Sequence, residues 1–469
     1  MQKLLPLFAL ALLLSGVCPA QNWQYSLQLK DLQQKETVQF GYWYTGIPYL
    51  LDSVTVDSTQ PTATFKGTKT LEPGLYFFNV KGKETPLEFV INNESQIAFY
   101  TRMTALPDSF DLLSASKENE PFFYWRTYRQ SRETRIAGMR STLDLLSRAT
   151  RDRQVLEEHA KNIRALREEI DNNTRKQVVK YPDLLFPKLI ICELPAEVPP
   201  TVEPFDAQGQ PNPGYMYYFR EHFWDTYDFK DNRLLRSPAL ARKTDDWMQI
   251  QQSSLDSVKV SLALAVKKAN VNPLARQKLL QLMLERFDIP SFGGNESMLV
   301  HLFDHHMPSA TYVGMDTATW MRVEYKANSY RATLPGRIAP EIRLPDTAGV
   351  DISLYDFKAK YTLLYFFSPL CAHCKEATPG IYEASKAFAN KGVRVFAVTT
   401  DGRVDYWKDY VATNLPQWTC VADRNDPSPV EKIYSTHALP NVLLLDENKK
   451  ILIRRLPVER VAEVLESLR

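Results

Sequence analysis

The chain reads as a multidomain protein with an all-β N-terminal domain, a mainly α middle domain and a C-terminal α/β domain. Three observations point to this. Alternating strands fill the first hundred residues, charged helical periodicity fills the middle, and apolar strands alternate with amphipathic helices after residue 335. At 469 residues the chain exceeds what one hydrophobic core ordinarily supports. Hydrophobic residues make up 44% and charged residues 24%, as in a folded protein. The net charge of +2, from 57 basic and 55 acidic side chains, gives no general attraction to nucleic acid.

The opening segment "MQKLLPLFALALLLSGVCPAQNW" has the pattern of a secretory signal. Lys3 supplies the positive end, Leu4–Leu14 the apolar stretch, and Cys18-Pro19-Ala20 a cleavage site before Gln21. Residues 1–20 are therefore expected to be removed on export. The apolar stretch is short for a membrane span. Acylation of Cys18 is the weaker alternative, because Val17 is large for the position before a lipidated cysteine.

Residues 21–105 carry alternation in "YSLQL" (25–29), "VQFGYWY" (38–44), "SVTV" (53–56), "ATF" (63–65), "GLYFFNV" (74–80), "LEFVI" (87–91) and "QIAFY" (96–100). Turn formers such as Pro73-Gly74 and Asn92-Asn93 separate these runs at the spacing of a small sandwich or barrel. The stretch resembles a lipocalin-like β domain of unknown function. Across 106–330 the pattern turns helical, and "TRIAGMRSTLDLLSRATRDRQVLEEHAKNIRALREEIDNN" predicts an antiparallel hairpin. Six prolines in "PAEVPPTVEPFDAQGQPNPG" (195–214) predict a loop. The following "YYFREHFWDTYDFKDNRLLRSPAL" (217–240) resembles a second domain of unknown function.

Residues 335–469 predict one layered α/β domain, with strands "YTLLYFF" (361–367), "VRVFAVTT" (393–400), "NVLLLD" (441–446) and "ILIRRL" (451–456). Between the first strand and the next helix lies Cys371-Ala372-His373-Cys374. A cysteine at a helix N-terminus meets unpaired N–H groups and the positive end of the dipole, which favour a thiolate. Cys374, nearly a turn later, is placed to attack a mixed disulfide. His373 between them is a candidate for tuning the dithiol; it is equally suited to face solvent. A zinc site needs more ligands than this pair, and no second CxxC exists. Cys192 and Cys420 are expected to be packed core thiols. His301, His305 and His306 in "HLFDHH" read as surface or packed histidines, with no metal expected. Three short sequons, at Asn93, Asn172 and Asn295, carry no functional weight.

Two prolines complete a specific resemblance. Pro379 lies five residues after Cys374, and Leu439-Pro440 directly precedes an apolar strand. With the CxxC, these match the helix proline and the cis-proline of the thioredoxin fold. Upstream, "IAPEIRLPDTAGVDISLYDF" (338–357) is similar to the N-terminal β extension of the TlpA/ResA-like thiol–disulfide oxidoreductases. The resemblance implies an exported enzyme of the bacterial periplasm or cell envelope, with Cys371 as nucleophile and Cys374 as resolving thiol. It implies Leu439 and Pro440 against the substrate, and Pro379 as a structural residue. Its partners would be protein disulfides or dithiols and an envelope electron donor, with no cofactor. The chain departs from the family at Leu370, where Trp is usual, at Tyr365, where cytoplasmic thioredoxins carry a buried aspartate, and at Leu439. Asp401 is a candidate substitute carboxylate, although an ordinary loop acid reads better. Reduction of envelope disulfides is the favoured direction. A DsbA-like oxidant and a non-catalytic binding protein are the alternatives, and a peroxidase is less favoured because its characteristic Pro and Thr before the cysteine are missing.

Overall fold

The computed structural model describes residues 23–468, apart from 107–109, 150–152, 204–209, 211, 251–254, 289–294, 401–403, 426–427 and 437. The expected signal segment, Cys18 and Asp401 lie outside the described residues. By compactness the chain falls into two units, Met1–Asp246 and Trp247–Arg469, and the helical stretch is shared between them. No helix among the described residues is long and apolar enough to cross a membrane.

In the first unit, β1 (Trp23–Lys30), β2 (Glu36–Tyr44), β3 (Ile47–Val56), β4 (Thr62–Gly67), β5 (Gly74–Val80), β6 (Leu87–Ile91), β7 (Gln96–Arg102) and β8 (Asp111–Leu112) form two sheets, ordered β4-β1-β7-β8 and β3-β2-β5-β6. Their inward positions are aromatic: Phe40, Phe65, Phe78, Phe89 and Phe99 are all buried, with the Phe78 and Phe89 rings 4.9 Å apart. Every expected strand is present, but β3 begins at Ile47 rather than Ser53. Its pairing with β2 runs back to a tight turn at Thr45-Gly46, both with positive φ (48° and 87°). Ile47, Tyr49, Leu50 and Leu51 are all exposed, so this part of β3 has no alternation from which to read it.

The expected hairpin is α1 (Asn119–Ala149) against α2 (Arg153–Lys180). Trp125 donates to Thr174 at 2.8 Å, Arg132 pairs with Glu169 at 3.4 Å, and Ile136 packs on Ile163 and Leu166, which fixes the antiparallel sense. The Asn119 side chain joins hairpin to sheet. Its amide accepts from the Val90 N–H and donates to the Val90 carbonyl, both at 2.8 Å, as a neighbouring strand would. Next to it, the buried Glu118 carboxylate accepts the N–H groups of Leu185 and Phe186 at the start of α3 (Leu185–Ile191). The short α4 (Pro213–His222) and then α5 (Ala239–Gln249) follow.

The second unit holds α6 (Leu255–Ala269), α7 (Pro273–Phe287), α8 (Asn295–His306), α9 (Ala310–Val313) and α10 (Thr317–Arg331). The α/β domain continues directly from them. A small ribbon of β9 (Arg343–Pro345) and β10 (Asp351–Ser353) precedes β11 (Tyr361–Phe367), α11 (Ala372–Ala387), β12 (Val393–Thr399), α12 (Val404–Asn414), β13 (Thr419–Ala422), α13 (Pro429–Tyr434), β14 (Asn441–Leu445), β15 (Ile451–Ile453) and α14 (Val461–Ser467). Its sheet runs β13-β12-β11-β14-β15. The first three strands are parallel, and β14 is antiparallel to β11.

Central β11 explains its own sequence. Leu363, Tyr365 and Phe367 point into one core layer with α11, while Leu364 and Phe366 point into the other with Phe357 and Tyr434. A strand buried on both faces must read as an unbroken apolar run. A sheet with a core layer on each face is the thioredoxin-like arrangement expected for this region. Strand β13 was not anticipated, because four residues are too short to show a period.

Candidate active site

The dithiol sits where β11 hands over to α11. Ser368 orders the turn: its hydroxyl accepts from the Leu370 N–H at 3.2 Å and its carbonyl from the Cys371 N–H at 3.2 Å. Cys371 is the N-cap of α11, and its Sγ accepts the Cys374 N–H at 3.3 Å. The helix thus presents an unpaired donor to the sulfur, as the strand-to-helix placement predicted. Across the site, the same Sγ lies 3.8 Å from the Leu439 carbonyl, which its S–H donates to. The peptide bond between Leu439 and Pro440 is cis.

The two thiols differ in access. Cys371 is half-buried, and Cys374 is fully buried among Tyr365, Ile381 and Val442. Burial, reinforced by the hydrogen bond with Cys371, pushes the Cys374 thiol up to about 12. Beneath it, Thr378 donates to the Cys374 carbonyl at 2.6 Å. That commits the Thr378 proton, so the Tyr365 hydroxyl at 2.9 Å must be the donor to Thr378. Burial drives the Tyr365 phenol well above its ordinary value, and it stays neutral. Thr378 is a site residue that sequence reasoning missed; it carries no motif, and its role appears only once Tyr365 is folded beneath the helix.

The other expected site residues divide clearly. His373 and Pro379 are exposed, Pro379 lying inside α11. Leu370 is 38% exposed immediately beside Cys371, and Leu439 is half-buried. Cys420 on β13 is buried in the same core layer as Cys374, and burial pushes its thiol up to about 12. Cys192 is buried in the first unit, where its Sγ lies 3.1 Å from the Lys188 carbonyl. The His301 and His305 rings lie 4.5 Å apart, tilted by 48°, and burial first, then the neighbouring histidines, lowers His301 to about 4. Among the described residues, no group of three or more His, Cys, Asp or Glu is placed to hold a metal ion.

Comparison with known proteins bears on the fold. The model of the AhpC/TSA family matches residues 335–454, and that of a domain of unknown function (DUF5106) matches residues 196–310. Thiol–disulfide oxidoreductases ResA from Bacillus thuringiensis and Bacillus cereus are each 28% identical over 132 residues, which cover 28% of this chain and 75% of theirs. A thioredoxin-like protein from Bacteroides caccae superposes with a TM-score of 0.50 at 18% identity, covering 59% of this chain and 98% of its own. The C-terminal domain of this chain is therefore a thioredoxin-fold domain of the TlpA/ResA-like oxidoreductases.

Proposed function

We propose that the chain is an exported oxidoreductase that reduces disulfides in cell-envelope proteins through Cys371 and Cys374. The observation that carries this reading is the half-buried Cys371 Sγ, held between the Cys374 N–H at 3.3 Å and the Leu439 carbonyl at 3.8 Å. The Cys371 thiolate attacks one sulfur of the substrate disulfide and expels the other as a thiolate. Cys374 then gives up its proton and attacks Cys371. The second substrate sulfur leaves as a thiolate, and the dithiol, having surrendered two electrons, has become the Cys371–Cys374 disulfide. Once Cys371 is ionised it no longer donates to the Leu439 carbonyl, which is then free to accept an N–H from an extended substrate backbone. The pair is recharged by a dithiol donor of the envelope. The signal-like N-terminus supports the location.

The test is the equilibrium potential of the pair, with turnover of a disulfide-bonded peptide. A value near that of thioredoxin, about −270 mV, supports the reductase; one near about −120 mV supports a DsbA-like oxidant. Turnover is expected to fall roughly a thousandfold or more in Cys371→Ser. Cys374→Ser is expected to accumulate a mixed disulfide visible by mass spectrometry. Equal behaviour of wild type and Cys371→Ser would leave the binding-protein reading. Hydroperoxide is not expected to be turned over, because Leu364 and Ser368 stand seven and three residues before Cys371, where a peroxidase carries Pro and Thr.

A further inference from the structure

We propose that α8 and α10 hold the substrate-facing wall of the dithiol in place, with Glu296, Ser329 and Arg454 as positioning residues. The consequence for turnover rests on the reading above; the clasp itself does not.

The wall is Leu439 with Pro440, in the loop that follows α13. The loop's first residue, Ser435, has φ 53°, the left-handed conformation of a helix C-cap, and closes α13. Its side chain is also held from α10. The Ser435 and Ser329 hydroxyls are buried and 2.5 Å apart. One residue earlier, the Tyr434 carbonyl accepts from the Arg454 guanidinium at 3.3 Å. Arg454 follows β15, is itself buried, and lies 4.7 Å from the Tyr330 ring of α10. Its Nε donates to Thr333 at 3.1 Å, and a terminal nitrogen donates to Glu296 of α8 at 2.9 Å. Arg455 approaches the same Glu296 oxygen at 2.8 Å, so one buried carboxylate answers two guanidinium groups.

A buried guanidinium must keep its partners or be driven out toward water, and Arg454 draws its partners from α8, from the end of α10 and from Tyr434. The start of the loop is tied to helices outside the α/β domain, and its far end meets Cys371. Loosening the clasp should let the Leu439 carbonyl drift from its place opposite the nucleophile, while the dithiol keeps its own turn through Ser368 and Cys374.

Amide hydrogen exchange on the full chain tests this, comparing wild type with Ser329→Ala and Glu296→Gln. The Ser435 and Thr436 N–H groups both bond to the Glu431 carbonyl and report on the loop. Their exchange is expected to quicken about tenfold or more in each variant, with β11 and α11 still protected as in wild type. With a disulfide-bonded peptide, Ser329→Ala is expected to raise KM about threefold to tenfold at unchanged kcat. Should Glu296→Gln fail to fold, Ser329→Ala decides alone. Wild-type protection at Ser435 and Thr436 in Ser329→Ala, or an equal rise throughout residues 247–469, overturns the clasp. Faster exchange with an unchanged KM overturns its role in substrate capture. If the wild-type protein turns over no disulfide, the oxidoreductase reading fails, and the exchange result still decides the clasp.

Discussion

The contrast between Cys371 and Cys374 has a direct chemical consequence. A buried thiol held up at about 12 is protonated near neutrality, and its thiolate fraction falls tenfold for each pH unit below that value. In the reduced protein, iodoacetamide at pH 7 is expected to label Cys371 alone, with Cys374 labelled only in alkaline solution; peptide mass spectrometry reads both sites. Cys420 makes a related statement about stability. Its folded thiol lies near 12 against an ordinary 9, so the protonated form belongs to the native state. Its contribution is complete below pH 9 and is lost as the pH climbs toward 12. Urea unfolding of Cys420→Val is therefore expected to weaken less than wild type between pH 9 and 11. Thr378→Val removes the acceptor of the buried Tyr365 hydroxyl and is expected to destabilise the domain by about 1–3 kcal/mol, read by the same method.

At the scale of elements, helices and strands are held where they meet by single polar side chains. Helix α11 begins at a cysteine that does the work of a serine or aspartate N-cap, so its start and the nucleophile are the same residue. Pro379 removes one helical donor and leaves the Lys375 carbonyl to water on an exposed face, which the helix tolerates. The Asn119 amide takes the place of a strand along the edge of β6. Asn119→Ala leaves the Val90 N–H and carbonyl without these partners in a buried site, and is expected to lower stability of the first unit by about 2–3 kcal/mol in urea unfolding. Lys391 acts similarly at the end of α14, where its ammonium donates to the carbonyls of Leu465, Glu466 and Leu468.

For the molecule as a whole, the Glu296 cluster makes the helices of 255–331 part of the α/β domain's support. A buried ion pair is weak as a source of net stability but expensive to break on one side. Glu296→Met alone strands the Arg454 and Arg455 charges and is expected to cost about 3–5 kcal/mol in the unfolding of the second unit. Glu296→Met combined with Arg454→Met is expected to be the more stable of the two variants, because it removes a buried charge together with its partner. A double variant less stable than the single one would show that the cluster contributes through packing rather than charge.

Much of the architecture was readable from the chain. The seven β runs of the first unit, the helical hairpin and four strands of the α/β domain all appear where periodicity placed them, because each pattern lies within a few consecutive residues. The exposed start of β3 and the four-residue β13 escaped, one for lack of alternation and the other for lack of length. The dithiol, its helix and the following prolines are likewise local features, so the sequence by itself determined the kind of chemistry to look for. Tertiary structure alone decided the rest. Cys371 meets the Leu439 carbonyl across 68 residues, and Arg454 meets Glu296 across 158. Tyr365 acquires its role only by lying beneath Thr378, and β1 pairs in parallel with the distant β7. No local period encodes which distant residues share a core layer. That follows from how the sheets and helices pack, and it determines what surrounds the thiols.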